Sequence, residues 1–394
     1  MIEGSKTEKT LNRKLRMGMV GGGPGAFIGE VHRKVSRLDG GVELIAGAFD
    51  IDPKKSREMG RTMMLDPKRV YDTFEDMVKA EKKLPEGDRI DFVSITTPNK
   101  WHFPIAKAFL EGGFNVICEK PMTMDVKEAK KLQEIVEKSG KVFAVLYNYT
   151  GYPMVKQARH MVQKGMLGKI QKIMVEYPQD WLLTRLEATG QMQAAWRTDP
   201  KLAGAGGSLG DIGSHAENLA RYITGLEIEE LCADLTTFVE GRQLDDDANI
   251  LLHYDNGARG VLSASQVSTG NENNLTIRIY GTTGALKWVQ ENPNYLYYYQ
   301  QGKPVQVYRR GNDYLCEATK RATRIPSGHP EAFLEAFANI YKNATDTMRA
   351  KLLKRKPSQL ELDFPNVDDG LKGMQFIEAA VASSKSAKKW IKVK

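Results

Sequence analysis

The stretch that decides the fold is MGMVGGGPGA, residues 17–26. Its apolar start reads as the end of a strand, and Gly21, Gly23 and Ala26 have the spacing G-x-G-x-x-[G/A]. A strand–turn–helix unit needs a tight turn, a close approach of the backbone to a pyrophosphate, and a small residue where the helix packs on the sheet. Amides at the start of the following helix are donors for phosphate oxygens. The stretch therefore predicts a dinucleotide-binding domain.

Outward from this turn, the chain alternates short apolar runs with helical patterns up to residue 149. The apolar runs lie at residues 16–20, 43–49, 92–96, 115–118 and 142–146. The helical patterns lie at residues 26–38, 53–60, 73–81, 101–111 and 125–139. Alternation at this spacing predicts a doubly wound, parallel α/β sheet of the Rossmann type. We assign this domain to residues 16–149, after a polar tail at residues 1–15.

After residue 149 the pattern changes to that of an α+β domain, which we assign to residues 150–394. Helices are predicted at residues 153–164, 212–223, 330–342 and 368–384, with a glycine-rich turn at 204–210. Strands are predicted at residues 170–177, 231–239, 248–254, 259–266, 275–281, 285–289 and 295–300. Asn256-Gly257 is a hairpin signal between two of them. The succession predicts an open, mostly antiparallel sheet.

The composition is that of an ordinary globular protein, with 41% hydrophobic and 27% charged residues among 394. This length exceeds what one hydrophobic core usually organises, so two domains are expected. No run of 18 apolar residues occurs, and the N-terminus lacks the apolar segment of a secretory signal. Cys118, Cys232 and Cys316 are widely spaced and form no CxxC pair. We therefore expect a cytoplasmic protein with reduced thiols and no membrane association.

The net charge of +8 is concentrated at the two ends of the chain. Residues 1–16 hold five basic and two acidic side chains, and residues 384–394 hold five lysines and no acid. The body between them is neutral and carries no nucleic-acid recognition motif. The charge therefore predicts solvated termini and no nucleic-acid partner.

The second apolar run ends in Asp50, where a carboxylate would bind the adenine ribose hydroxyls and repel a 2′-phosphate. This favours NAD as the cofactor, although Lys54, Lys55 and Arg57 lie just beyond and keep NADP open. The alternative role for Asp50 is to cap the next helix, for which Asp52 is the better candidate.

The third apolar run is followed by Thr97-Pro98-Asn99, at the carboxyl edge where open α/β sheets bind ligands. Asn99 can cap the helix that carries His102, or it can contact the cofactor. The two roles are compatible.

The fourth apolar run leads into Glu119-Lys120-Pro121. A lysine at this strand end would lie beside a nicotinamide and could polarise a substrate oxygen. The alternative is an ordinary surface lysine, since lysine is a mostly exposed residue type.

In the second domain, Asp211 and His215 are four residues apart at the predicted start of a helix, so they would project from one face. The histidine could take a hydroxyl proton as general base while the aspartate orients it or binds a second hydroxyl. The alternatives are a helix-capping Asp211 with a buried His215, or a metal site. We expect no metal, because neither an HExxH nor a CxxC motif accompanies the pair.

Four further residues are candidates for substrate contact: Asn148, Trp181, Trp196 and Arg197. Asn148 follows the last strand of the parallel sheet, and the tryptophans could stack on a sugar face. Arg197 could instead pair with Asp199. The aromatic run at residues 295–299 could also stack on a sugar, but alternating aromatics in a strand are more typical of sheet packing.

Four motifs occur together in this chain: Gly21-x-Gly23-x-x-Ala26, Thr97-Pro98-Asn99, Glu119-Lys120-Pro121 and Asp211-x-x-x-His215. The set resembles the glucose-fructose oxidoreductase, inositol dehydrogenase and rhizopine catabolism (Gfo/Idh/MocA) family over nearly the whole chain. Residues 20–29, 196–200, 210–218 and 328–333 resemble a subgroup that contains levoglucosan dehydrogenase and glycoside 3-dehydrogenases.

The resemblance implies an NAD(P)-dependent dehydrogenase that oxidises a secondary hydroxyl of a sugar, glycoside or polyol, with C3 as the expected position. It implies that Lys120, Asp211 and His215 are catalytic and that the second sheet forms a homo-oligomer interface. The cofactor contacts that it implies are Gly21, Gly23, Ala26, Phe27, Ile28, Asp50, Thr97, Pro98, Asn99, His102, Glu119 and Lys120.

Two other functions occur on the same fold. NAD-dependent glycosidases oxidise and re-reduce a sugar within one turnover, and some regulators bind the dinucleotide without catalysis. The presence of Lys120, Asp211 and His215 disfavours a regulator, and the intact Lys120-Pro121 step disfavours a glycosidase. We therefore expect a dehydrogenase.

Overall fold

The computed structural model describes residues 11–394. Residues 1–10, the greater part of the predicted polar tail, lie outside the described residues. The described chain forms one parallel and one mostly antiparallel sheet with helices packed between and around them, which confirms the predicted fold class.

The parallel sheet has five strands in the order β2-β1-β3-β4-β5. In chain order its elements are β1 (Leu15–Gly21), α1 (Phe27–Leu38), β2 (Val42–Ala48), α2 (Pro53–Thr62), α3 (Phe74–Lys83), β3 (Phe92–Thr96), α4 (His102–Glu111), β4 (Asn115–Cys118), α5 (Val126–Ser139) and β5 (Phe143–Val145). The strand order reverses at β1 and β3, which are direct neighbours. Open parallel sheets bind ligands outside the carboxyl ends of the strands at such a point.

The antiparallel sheet has nine strands in the order β13-β12-β11-β10-β6-β9-β8-β7-β14. The first elements of this region are α6 (Pro153–Gln163), β6 (Ile170–Pro178), α7 (Met192–Arg197), α8 (Pro200–Ala203) and α9 (Ser214–Thr224). The strands β7 (Ile228–Thr236), β8 (Asp247–Tyr254), β9 (Arg259–Ser265), β10 (Thr276–Gly281), β11 (Ala285–Val289), β12 (Tyr295–Tyr299) and β13 (Gln306–Arg309) follow. The last elements are α10 (Glu317–Arg321), α11 (Phe333–Leu352), α12 (Val367–Lys385) and β14 (Trp390–Lys392). Among the strand pairs of this sheet, β6 with β9 is parallel.

The C-terminal basic segment is not simply a solvated tail, and this corrects the sequence prediction. Residues Trp390–Lys392 form β14, which pairs antiparallel with β7 at one edge of the large sheet. A strand of three residues is too short to show the alternation of apolar and polar side chains, so the lysines were the only visible feature of this segment. Lysines suit an edge strand because they disfavour the addition of further strands.

The long helix α11 covers one face of the parallel sheet, although it belongs in sequence to the second domain. Its residues Phe337, Ile340, Tyr341 and Met348 are buried in one cluster with apolar side chains from β1 to β5. The helix extends ten residues beyond the predicted end at residue 342. Burial against the sheet, and not local propensity, accounts for its length.

The described residues contain no helix with both the length and the apolar character needed to cross a membrane. They also contain no group of three or more His, Cys, Asp or Glu side chains that could hold a metal ion. The cysteines Cys118, Cys232 and Cys316 are all free.

Candidate active site

A cleft of about 1530 Å³ lies between the two sheets, at the carboxyl ends of the parallel strands. The structure brings nearly all of the predicted site residues to its walls. Those that line it are Gly21, Gly23, Ala26, Phe27, Ile28, Asp50, Thr97, Pro98, Asn99, Glu119, Lys120, Asn148, Trp181, Trp196, Arg197, Asp211 and His215. The exception is His102.

The glycine-rich turn brings its backbone against neighbouring atoms too closely for side chains. Gly21 has a φ of 86°, and a Cβ at Gly23 would lie 2.8 Å from Oδ2 of Asp50. The closest approach of α1 to the turn is at Gly29, where a Cβ would lie 2.3 Å from Cα of Gly22. Gly29 therefore has the close-packing role that the sequence assigned to Ala26. Ala26 is the half-buried residue that precedes α1.

Asp50 follows β2 and lines the cleft beside the glycine turn. Its Oδ1 accepts a hydrogen bond from the backbone of Asp52 at 2.9 Å. Asp52 caps α2 by accepting from the amide of Lys54 at 2.9 Å, which confirms its predicted capping role. The Asp50 carboxylate is therefore not needed to cap the helix, and its contact with a ribose stays a prediction.

Asn99 connects the two domains and does not cap a helix. Its Nδ2 donates to the carbonyl of Ala203 at 2.8 Å, and α4 has no side-chain cap. The capping alternative is therefore wrong. Asn99 Oδ1 and Thr97 Oγ1 are buried without a hydrogen-bond partner. Buried polar atoms are normally paired, so these two are candidates for contact with a ligand.

His102 corrects another prediction, since it lies behind the cleft wall. Its ring is completely buried, with Nδ1 2.8 Å from the carbonyl oxygen of Pro121 and Nε2 2.9 Å from that of Thr97. The ring thus joins the turn after β3 to the turn after β4. His102 supports the residues that line the cleft without lining it.

Lys120 reaches from the first domain to Asp211 in the second. Its Nζ donates to the backbone oxygen and to Oδ1 of Asp211, both at 2.8 Å. The lysine side chain is only 12% exposed, so the surface-lysine alternative is wrong. The other carboxylate oxygen of Asp211 accepts from Gln266 at 2.9 Å and lies 3.4 Å from Nε of Arg197. Arg197 therefore pairs with Asp211 and not with Asp199, which caps α8.

Asp211 lies in a π-helical turn, Leu209–Gly213, that leads into α9. The sequence predicted an α-helical start that would place Asp211 and His215 on one face. No hydrogen bond joins the two side chains in the described structure. The His215 ring is instead held edge-on by Tyr149, at 4.8 Å between ring centroids, and by Tyr147, at 5.6 Å. Its Nδ1 is buried without a partner.

The charges around this group set opposite protonation states for its two titrating members. Burial raises the pKa of the Asp211 carboxyl, but the positive charges of Lys120 and Arg197 outweigh it, and the net pKa lies below its ordinary value. Burial and the nearby Lys120 charge hold the pKa of His215 well below its ordinary value, against a weaker effect of Asp211. At neutral pH the aspartate is therefore ionised, and the neutral histidine is the group able to accept a proton.

Sequence reasoning missed three glutamines that follow strands of the large sheet. Gln179, Gln266 and Gln290 come directly after β6, β9 and β11, which all run in the same direction and end at the cleft. Gln179 accepts a hydrogen bond from Trp181 Nε1 at 3.1 Å and donates to Asn273 at 2.6 Å. The strand-end rule that identified Asp50 also finds these residues once the strand directions are known.

Aromatic side chains have two different placements. Trp196 lines the cleft beneath the Arg197 guanidinium, which lies 4.2 Å from the ring centroid. The residues of β12 do not line the cleft: Leu296 and Tyr298 are buried under the sheet, and Tyr295 and Tyr299 are exposed on its outer face. The run at residues 295–299 is therefore sheet packing.

Comparisons with known proteins identify both domains. The model of the oxidoreductase family with an NAD-binding Rossmann fold matches residues 15–147, and that of the GFO/IDH/MocA C-terminal domain matches residues 155–287. The oxidoreductase YfiI of Bacillus subtilis (strain 168) is 35% identical over 390 residues, which cover 98% of this chain and 99% of YfiI. The chain belongs to the Gfo/Idh/MocA family. This Gfo/Idh/MocA protein is an oxidoreductase, and its first domain is NAD-binding.

Two other relatives have named ligands or activities. A crystal structure of an inositol dehydrogenase homolog from Azotobacter vinelandii, complexed with NADH and myo-inositol, is 35% identical with a TM-score of 0.89, and the match covers 98% of this chain and 99% of that one. Levoglucosan dehydrogenase of Pseudarthrobacter phenanthrenivorans is 30% identical over 236 residues, which cover 54% of this Gfo/Idh/MocA chain and 59% of that enzyme.

The walls of the cleft fit the cofactor of the Gfo/Idh/MocA family. Gly21 and Gly23, which have no space for side chains, line the cleft together with Asp50, whose carboxylate is the candidate for the adenine ribose. The unpartnered atoms of Thr97 and Asn99 lie farther along the same wall, toward Lys120.

Proposed function

We propose that this oxidoreductase is an NAD-dependent dehydrogenase that acts on a secondary hydroxyl of a neutral sugar, polyol or glycoside. The observation that carries the proposal is the meeting of Lys120, from the first domain, with Asp211 and His215 of the second domain in one cleft. The carbon oxidised, with C3 of a glucose-like ring as the expectation, is part of the proposal.

Each group has a chemical role that follows from its environment. Neutral His215 accepts the hydroxyl proton as general base. The Lys120 ammonium stabilises negative charge as it develops on the substrate oxygen. Asp211, with Gln266 and Arg197 on its second oxygen, fixes the position of Lys120. When NAD⁺ is bound, its nicotinamide would supply the acceptor for the hydride that leaves the carbon bearing this hydroxyl.

The charges of the cleft favour an uncharged substrate. Acidic side chains outnumber basic ones among the described residues that line it. The acids are Asp50, Asp72, Glu75, Glu119, Asp199, Asp211 and Glu272. The two bases, Lys120 and Arg197, both contact Asp211. A sugar phosphate would find no cation here that is not already paired, so we expect it to be a poorer substrate than the corresponding free sugar.

The polar lining supports a ligand rich in hydroxyls. Gln290 Oε1 is a buried acceptor and Asn148 Nδ2 a buried donor, both without partners, and both residues line the cleft. Hydroxyls can satisfy either kind of group. The myo-inositol bound by the Azotobacter vinelandii homolog and the levoglucosan that names another relative are ligands of this kind.

The test is NADH formation with a panel of inositols, glucosides and anhydrosugars, including glucose and glucose 6-phosphate as a matched pair. We expect activity with a neutral member of the panel. Lys120→Ala should lower turnover by about 10³-fold while still binding NAD⁺. Lys107→Ala is the matched control, because Lys107 pairs with Glu111 on the exposed side of α4.

Near-normal turnover of Lys120→Ala would refute the proposed mechanism. Release of free aglycone from a glucoside without net NADH would favour the glycosidase alternative. Binding of NAD⁺ with no turnover of any compound would favour a regulator.

The proposal includes a cytoplasmic homo-oligomer assembled through the large sheet. The outer face of this sheet exposes Leu251, Tyr280, Tyr295 and Tyr299, which would be covered by a second copy. Light scattering during size-exclusion chromatography gives the oligomer size, and a monomer at micromolar concentration would contradict this part.

A further inference from the structure

Glu119 places a buried carboxylate in the cleft wall, directly before Lys120. Its side chain is 8% exposed, and it lines the cleft. One oxygen, Oε1, lies 2.9 Å from Nε2 of His32. The other, Oε2, accepts a hydrogen bond from the backbone amide of Lys120 at 3.1 Å. Both oxygens are therefore held in place by donors.

Behind His32, two hydroxyl groups complete a buried network. Nδ1 of His32 lies 2.9 Å from Ser94 Oγ and 2.8 Å from Tyr341 Oη, and these two hydroxyl oxygens are 2.8 Å apart. When His32 is neutral and donates from Nε2 to Glu119, its Nδ1 can accept from a hydroxyl. His32 lies on α1 and Tyr341 on α11, so elements far apart in sequence orient the carboxylate.

Among the described residues, the carboxylate bonds the His32 ring and the Lys120 backbone amide, and it bonds no lysine or arginine side chain. Burial by itself would raise the pKa of the Glu119 carboxyl. The hydrogen bond from His32 and the positive charges nearby have the larger effect, so the pKa lies below its ordinary value. The group is therefore a negative charge at neutral pH, in a wall from which water is largely excluded.

We propose that Glu119 makes the cleft prefer the oxidised cofactor, because its negative charge stabilises the cationic nicotinamide ring of NAD⁺ and has no such effect on the neutral ring of NADH. The inference rests on the proposed function, which puts the nicotinamide beside Lys120. A charge in a partly desolvated site acts more strongly than one in water. Such a preference favours entry of NAD⁺ and release of NADH, which is the direction of alcohol oxidation.

Glu119→Gln removes the charge and can retain every hydrogen bond. The glutamine oxygen can accept from the Lys120 amide, and its NH₂ group can donate to Nε2 of His32. The imidazole then carries its proton on Nδ1 and donates to a hydroxyl of Ser94 or Tyr341, which can reorient. The variant therefore tests the effect of the charge separately from the effect of packing.

The experiment measures the dissociation constants of NAD⁺ and NADH without substrate, for the wild type and for three variants. In Glu119→Gln we expect the affinity of NAD⁺ relative to NADH to fall by about tenfold, mainly through weaker NAD⁺ binding. Tyr341→Phe disturbs the same network without changing charge, so the ratio should stay at the wild-type value. Asp50→Asn should weaken the binding of NAD⁺ and of NADH by the same factor, because the two cofactor forms differ only at the nicotinamide.

A ratio within twofold of the wild type in Glu119→Gln, or an equal loss of both affinities, would overturn the inference. If Glu119→Gln does not fold, Glu119→Ala tests the same loss of charge and Glu119→Asp the retention of charge. Because no substrate is present, a changed ratio supports this inference even when the substrate panel fails, and an unchanged ratio refutes it even when the panel succeeds.

Discussion

At the scale of single residues, the division of protonation between His215 and Asp211 determines how activity depends on pH. The pKa of His215 is depressed by burial and by the Lys120 charge, so the ring stays neutral as the pH falls through 6.5, its ordinary pKa. The pKa of Asp211 is also depressed, and this residue keeps its charge at still lower pH. Throughout the neutral range, both groups are therefore in the protonation states that the proposed mechanism requires.

We therefore expect kcat/KM of the wild type to show no acid limb near pH 6.5, the ordinary pKa of histidine. His215→Gln, which cannot accept the proton, should lower kcat/KM by about 10²–10⁴-fold. The measurement is kcat/KM between about pH 5 and about pH 8. An acid limb at or above the ordinary histidine value would show that the ring is protonated in the free enzyme.

The second prediction at this scale concerns Asp50 and the choice between NAD⁺ and NADP⁺. Asp50→Ala removes the carboxylate that we assign to the adenine ribose, so NAD⁺ binding should weaken by about tenfold and discrimination against NADP⁺ should fall. Asp52→Ala is the matched control, because it removes the cap of α2 at a cost of about 1 kcal/mol and should leave the NAD⁺ to NADP⁺ ratio unchanged. Dissociation constants for the two cofactors check both outcomes. Unchanged discrimination in Asp50→Ala would contradict the assignment.

At the scale of elements, the π-helical turn that presents Asp211 is fixed by one buried carboxylate. Asp245 accepts from the amide of Gly207 at 2.7 Å, and from the hydroxyl of Ser208 and the amide of Leu209, both at 2.8 Å. The turn begins where these donors are satisfied. Asp245 thus positions the start of the element that carries Asp211.

We predict that Asp245→Asn destabilises the protein by about 1–3 kcal/mol, since an amide cannot accept at both of its ends. Turnover should fall as well, because Asp211 no longer holds Lys120 in place. Asp247→Asn is the control: it lies two residues away, and its carboxylate bonds the exposed Asn249. Urea unfolding and turnover are the measurements. Equal stability of the two variants would contradict the role of Asp245.

An element could be predicted from the sequence where a local pattern of residues is typical of it. The glycine turn, the strand ending at Asp50 and the Glu119-Lys120 step were predictable because each follows an apolar run in an alternating α/β pattern. The π-turn was not, since the spacing of Asp211 and His215 suits an α-helix equally well. The cleft-lining Gln179 and Gln290, and Gln266 beside Asp211, needed the strand directions, which arise from pairing between distant segments.

At the scale of the whole molecule, the two domains share a core. Helix α11 buries Phe337, Ile340, Tyr341 and Met348 against the parallel sheet, and Arg324 forms an ion pair with Asp39 of the first domain. The boundary at residue 149 stays a prediction. It divides the sequence at a place where the packing is continuous.

We expect residues 11–149 alone to remain unfolded or aggregated, because one face of their sheet would lose its cover. The full chain should unfold in a single transition in urea, with far-ultraviolet circular dichroism and tryptophan fluorescence changing together. A stable, monomeric fragment, or two separate transitions in the full chain, would show that the first domain folds independently.

The position of α11 also has a consequence for synthesis on the ribosome. The strands of the first sheet are complete at Val145, but the helix that covers them ends at Leu352. At about 5–20 residues per second, the roughly 200 intervening residues take about 10–40 s to emerge. During that interval we expect the nascent sheet to have an uncovered apolar face, which chaperones that bind during translation could protect.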